Sequence, residues 1–192
     1  MPRTKHTWRR HRKAQGQAVA NCTPSSWDNG EFNPLSSGQL PDEFNFDQCI
    51  PFIAEMDVAQ IQAMVKLACI IPVQAAKAAA AAAGKDSLSI QAMTEAYQVK
   101  ERVVESALLA IFGYESIKPI QLRVIVRQLP GAIPRDTLLV AKTGFGKSMT
   151  FQAFAPLTGM IAIQVIPLSK LGEEQAAQMS RLPGAKPVPA SL

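Results

Sequence analysis

The stretch Ala141-Lys142-Thr143-Gly144-Phe145-Gly146-Lys147-Ser148 constrains this chain more than any other. An apolar run, Thr137-Leu138-Leu139-Val140, precedes it and reads as a buried strand. A stretch able to form a helix follows. Strand, glycine loop and helix in that order are the setting a phosphate-binding loop requires. Two glycines let the backbone turn tightly, so that its N–H groups and the helix N-terminus form a concave anion site. Lys147 would reach the terminal phosphates, and the Ser148 hydroxyl would be a ligand for Mg²⁺. Ala141 stands where the strict pattern has a first glycine, which leaves the reduced core Thr143-Gly144-Phe145-Gly146-Lys147-Ser148. The competing reading is a glycine-rich turn with a solvated lysine.

Charge sits unevenly along the chain. The net charge of +5 comes from 20 Lys+Arg against 15 Asp+Glu. Residues 1–13 hold Arg3, Lys5, Arg9, Arg10, Arg12 and Lys13 and no acid; without those six, 14 basic residues face 15 acidic ones. Basicity is therefore a property of the tail, as in a nuclear-localisation signal or a nucleic-acid arm, or simply of a solvated end. Cys22, Cys49 and Cys69 form no C-x-x-C pair and are odd in number, so neither a disulfide framework nor a zinc site is expected. No apolar segment follows the basic start as it would in a signal peptide. The most apolar window, Ile61 to Ala83, is interrupted by Lys66, Pro72 and Lys77 and is a poor membrane span.

Three regions are expected. Residues 1–45 read as a disordered basic tail and linker, rich in turn-forming dipeptides such as Asn29-Gly30 and Asn33-Pro34. Residues 46–111 read as helical. Val58, Ile61, Val65 and Ala68 recur at helical spacing, Pro72 should break or kink that helix, and an alanine run, 75–83, leads to Gly84. Asp86 and Ser87 can cap a second helix with the stripe Ile90, Met93, Tyr97, Val104, Leu108 and Ile111, stopped by Gly113. Residues 112–192 read as α/β. Pro119 opens a helix running to Gln128, a turn spans Pro130 to Pro134, and Met160 to Ile166 is a second buried strand. A helix from Leu168 to Leu182 and a third strand at Val188 to Leu192 would follow. The fold class implied is a partial P-loop NTPase (RecA-like) parallel sheet, behind a helical region and a disordered basic tail.

Three ordered motifs resemble the RecQ-like DNA helicases of the DEAD/DEAH-box superfamily. Phe112-Gly113-Tyr114-Glu115-Ser116-Ile117-Lys118-Pro119-Ile120-Gln121 resembles that family's opening F-G-x-x-x-F-R-x-x-Q pattern. Ala141 to Ser148, followed by Phe151-Gln152, resembles its phosphate loop and the aromatic-Gln pair behind it. Val165-Ile166-Pro167-Leu168-Ser169-Lys170-Leu171-Gly172-Glu173-Glu174-Gln175 resembles its V-x-P-L-x-x-L-x-x-D-Q motif. The resemblance covers about Leu108 to Leu192. It implies an ATP-binding, Mg²⁺-dependent segment of a nuclear 3′-to-5′ helicase. Gln121 would sit on the adenine edge with Lys118 beside the base, and Thr143, Gly144, Phe145, Gly146, Lys147 and Ser148 would hold the phosphates. Pro167, Leu168, Ser169 and Lys170 would lie against single-stranded or partly duplex DNA.

The departures set the expected activity. Ile117 replaces an aromatic residue, Phe145 replaces a glycine common in the family's loop, and Glu174 replaces an aspartate. No D-E-x-H stretch occurs, and a second motor domain is absent from the sequence. A chain truncated in this way is expected to retain nucleotide and DNA contacts without being a helicase by itself. The alternative is a non-enzymatic nuclear protein that binds nucleic acid or protein through its basic tail and helical region. A small P-loop kinase or GTPase fits less well, because those place the loop near the start of the domain.

Overall fold

The computed structural model describes residues 44–85, 87–130, 136–183 and 185–188. Residues 1–43, Asp86, 131–135, Gly184 and 189–192 lie outside them, and with them the expected basic tail, most of the turn expected at Pro130 to Pro134 and most of the third strand expected at Val188 to Leu192. The chain divides into two units at the boundary between Cys49 and Ile50. In the first, a short helix α1 spans Phe46–Cys49, preceded by an edge-on contact between the Phe44 and Phe46 rings at 4.8 Å. Cys49 is disulfide-bonded, a pairing that the odd cysteine count did not lead us to expect.

The second unit is built from helices. A 3₁₀ turn, Ile50–Glu55, leads into α2, Val58–Ala82. Asp57 starts α2 with a reciprocal cap: its Oδ1 accepts from the Gln60 N–H at 2.8 Å, and its own N–H donates to Gln60 Oε1 at 3.0 Å. The helix runs on through Pro72, where a break or kink was expected. Its buried residues, Ile61, Met64, Val65, Leu67, Ala68, Cys69 and Ile71, all precede that proline. Packing secures the first half, so the hydrogen bond that proline cannot donate is lost where burial has already ended. α2 is long and apolar enough, by length and composition, to cross a membrane; the half that carries its large side chains is instead core.

α3, Ile90–Phe112, is the central element, packed on α2, α4, α6 and the 3₁₀ turn. Ser89 caps it through its Oγ, which accepts from Ala92 N–H at 3.1 Å, and not the expected Asp86 or Ser87. Gly113 ends it at φ +68°, as the sequence predicts. Val103, Val104, Ala107 and Leu108 are fully enclosed, whereas Ile90 and Met93, at the start of the expected stripe, project into solvent. Each enclosed Val or Leu contributes about 1.5–3 kcal/mol of burial. α4, Pro119–Gln128, buries Leu122, Ile125 and Val126 against α3. α5, Lys147–Gln152, and α6, Phe154–Thr158, follow the glycine loop and lie against α4 and α2 respectively. Gln62 Nε2 on α2 donates to Pro156 O at 3.0 Å. α7 spans Ser169–Met179, shorter than predicted, and buries none of its residues.

The expected parallel sheet is not there: no strand occurs among the described residues. Thr137 to Val140 and Met160 to Ile166 are irregular, and Leu138, Val140, Ile161, Ile163 and Val165 are 84–92% exposed. The physical reason is cooperative. A strand of a parallel sheet exists through ladder bonds to neighbours and through cover on both faces. These two segments pair neither with each other nor with a third, so their β-favouring composition has nothing to act on. The helical half of the expectation stands, and the RecA-like sheet does not.

Candidate nucleotide site

The glycine loop lies between an unpaired apolar segment and α5, and its shape comes from two glycines and three long polar side chains. Gly144 and Gly146 sit at φ +77° and +85°, in the left-handed region that other residues enter at a cost. The Phe145 N–H closes a turn on Lys142 O at 3.3 Å. Lys147, the first residue of α5, curls back over this turn. Its Nζ donates to Ala141 O at 2.8 Å and to Lys142 O at 3.0 Å. Both glycines take the positive φ that a tight loop needs, and the lysine is bonded to the loop's own carbonyls.

A second set of contacts reaches the loop from the start of α4. Pro119 at the first helical position directs Lys118 and Gln121, three residues apart, onto one face. Gln121 is 6% exposed, although it is polar. Its Nε2 donates to Phe145 O at 3.1 Å and to Gly146 O at 3.0 Å, while its Oε1 accepts from Lys118 N–H at 3.2 Å. Lys118 Nζ donates to Phe145 O at 2.9 Å and stands 4.6 Å from the centroid of the Phe145 ring. Such a cation over an aromatic face is worth about 0.5–1 kcal/mol where exposed. The Phe145 carbonyl therefore receives two donors and its ring a cation. A Cβ on Gly146 would stand 2.6 Å from Gln121 Nε2, so a side chain there would displace that amide from the loop as well as strain the backbone.

The structure thus brings together Lys118, Gln121 and the residues from Thr143 to Ser148. Pro167, Leu168, Ser169 and Lys170 are all exposed at the start of α7. No hydrogen bond among the described residues joins those four to the loop. Leu168 occupies the cap position of α7 with no side-chain bond. The extended approach to α7 is tied to it by Gln164, whose Nε2 donates to Gln175 Oε1.

Three features were not read from the sequence. Phe112 and Tyr114 stack at 5.6 Å with planes 16° apart just before Lys118, and Tyr114 is half exposed. Gln152, the last residue of α5, is buried with its Nε2 lacking a hydrogen-bond partner. Lys100 is 7% exposed on α3, and its Nζ donates to Pro130 O at 3.1 Å and Leu129 O at 3.4 Å beyond the end of α4. Burial pushes the Lys100 ammonium down from its ordinary 10.5, opposed by the neighbouring Cys69, whose thiol burial pushes up from 9.0. A signal for Lys100 was present: it falls on the spacing Ala96, Lys100, Val103, Ala107, Ile111 of the buried face.

Chemically, the loop carries one lysine already bent across it and open space around Gly144, where nothing lies within 4 Å of an added Cβ.

No family model matches this chain, and no solved structure matches it. Part of it is similar to three RecQ-type helicases. It is 40% identical over 74 residues to the bifunctional 3′-5′ exonuclease/ATP-dependent helicase WRN of Mus musculus, which is 38% of this chain and 5% of that protein. It is 34% identical over 88 residues to the ATP-dependent DNA helicase Q-like SIM of Arabidopsis thaliana, 46% of this chain and 10% of that protein. It is 36% identical over 84 residues to the ATP-dependent DNA helicase Q5 of Rattus norvegicus, 43% and 8% respectively. The chain thus matches no more than a tenth of the length of these relatives.

Proposed function

We propose that this chain is an ATP-binding and DNA-binding segment of a RecQ-like 3′-to-5′ helicase. One observation carries the reading: Lys118, Gln121 and Lys147, drawn from two separate motifs, converge on one glycine loop in a chain similar to RecQ-type helicases. In this reading the loop N–H groups and Lys147 take the β- and γ-phosphates of ATP, with Lys147 leaving the two carbonyls it now bonds. Among the described residues no three His, Cys, Asp or Glu side chains gather as a metal site. Mg²⁺ would be held by the Ser148 hydroxyl together with phosphate oxygens and water. Pro167 to Lys170 would contact the DNA backbone, where the exposed Ser169 hydroxyl and Lys170 ammonium suit phosphate oxygens. The basic block at residues 3–13 would direct the protein to the nucleus.

The test is an equilibrium titration of the purified chain with a fluorescent ATP analogue and Mg²⁺, beside Lys147→Ala. Saturable binding that weakens about tenfold or more in the variant is expected, the size of a lost charge-assisted contact. Absence of saturable binding by the wild-type chain would refute the reading.

A further inference from the structure

Residues 160–166 lie between two breaks in the chain. Gly159 ends α6 at φ +68°, and Pro167, which has no N–H to give to a ladder, follows Ile166. Among the described residues, no backbone–backbone hydrogen bond engages 161–166. Side chains of a strand alternate in direction. Gln164 and Ile166 belong to the side tied to α7: Gln164 Nε2 donates to Gln175 Oε1, and Ile166 Cδ1 lies 3.9 Å from where a Cβ on Gly172 would stand. Ile161, Ile163 and Val165 belong to the other side and are 90–92% exposed. The span thus has one supported side, one bare apolar side and an unused set of backbone donors and acceptors.

The sequence limits what can cover it. No charged residue occurs from Ser148 to Ser169. Nothing in the span selects an acidic or a basic partner, and no like charges oppose a second copy. Laid antiparallel on itself about Ile163, the span matches end to end. Ile161 falls opposite the partner's Val165, and Ile163 opposite the partner's Ile163. Gly159 falls opposite the partner's Pro167, where the ladder stops. Every pair on the bare side joins two β-branched residues, the type that pleated surfaces favour. We infer that residues 160–166 are a dimerisation strand, which pairs antiparallel with the same residues of a second copy about a twofold axis at Ile163. The inference goes beyond the nucleotide-binding reading and uses none of its loop residues.

The experiment is sedimentation equilibrium of the full chain and its variants, with circular dichroism as the check that the helices are kept. The wild-type chain is expected at the mass of two chains. Ile163→Lys and Ile163→Glu each set two like charges opposite one another on the axis. Each is expected to raise the dimer dissociation constant about tenfold or more. An equimolar mixture of the two sets an ammonium opposite a carboxylate and is expected to restore the mass of two chains. Val188→Lys, at a residue 87% exposed elsewhere in the chain, is expected to leave the dimer intact. A wild-type chain at the mass of one overturns the inference and leaves the bare side to a different partner. So does association beyond two chains, a dimer that survives both charges, a mixture that stays monomeric, or an equal loss with Val188→Lys.

Discussion

Lys147 Nζ lies 2.8 Å from the carbonyl oxygen of Ala141, six residues before it in the chain. The lysine that would meet a phosphate is thus a strut of its own loop. It spans the turn that Gly144 allows and ties the start of α5 to the residue before Lys142. An anion entering this loop exchanges two carbonyl contacts of a cation for charge-assisted contacts of its own, which are roughly twice as strong as neutral ones.

The two loop glycines are not equivalent. Both have positive φ, but a Cβ on Gly144 meets open space, whereas one on Gly146 meets Gln121 Nε2. Gly144→Ala is expected to cost about 1 kcal/mol of strain. Gly146→Ala should cost about 1 kcal/mol more, because the buried amide must also give up its carbonyls. Urea denaturation of both variants checks the order, and equal losses would contradict the geometry.

Core and periphery of α3 should separate cleanly. Leu108 is 0% exposed and Ile90 is 84% exposed on the same helix. Leu108→Ala is expected to destabilise by about 2–5 kcal/mol through the cavity it leaves. Ile90→Ala should stay within about 0.5 kcal/mol. Chemical denaturation of the pair tests whether α3 packs through its C-terminal two thirds.

Lys100 gives the stability a pH dependence of known sign. Its folded value lies below the ordinary 10.5 because burial disfavours the charge. Between the folded value and 10.5 the unfolded chain binds more protons, so stability rises with pH over that window. Cys69 acts oppositely. Its folded value lies above 9.0, so its contribution is complete below 9.0 and is lost as pH rises through the folded value. In a Cys69→Ala background, Lys100→Met is therefore expected to flatten the rise in unfolding free energy with pH. Urea midpoints from pH 7 to 10.5 measure the slope, and parallel curves would rule the assignment out.

The segment around Ile161, Ile163 and Val165 is apolar, β-favouring and exposed, a composition that self-associates. Ile163→Lys is expected to reduce light scattering on concentration while the helical circular dichroism stays constant. Scattering equal to that of the wild-type chain would place the association elsewhere.

Legibility of the fold from sequence followed how local each cause was. Three-four spacing around Val65 and Leu108, Pro119 at a helix start and Gly113 at a helix end act within a few residues, and all appear as expected. The Asp57–Gln60 cap was equally local and readable, since an acid three residues before a glutamine is a helix-start pattern. Met160 to Ile166 misled because a strand is made by its neighbour, and no window of sequence contains the neighbour. At the candidate site the loop was spelled by its own residues. The grip of Lys118 and Gln121 on Phe145 joins positions 24 and 27 residues apart, and only folding brings them together.

Burial along α2 stops at Ile71, one residue before Pro72, and none of the alanines after it is enclosed. The consequence concerns tolerance to change in length. Adding or removing an alanine beyond Pro72 rotates only the residues C-terminal to the change and leaves Ile61 to Ile71 in register with α3. The second half of α2 is a length of chain on which insertions and deletions can accumulate without reaching the core.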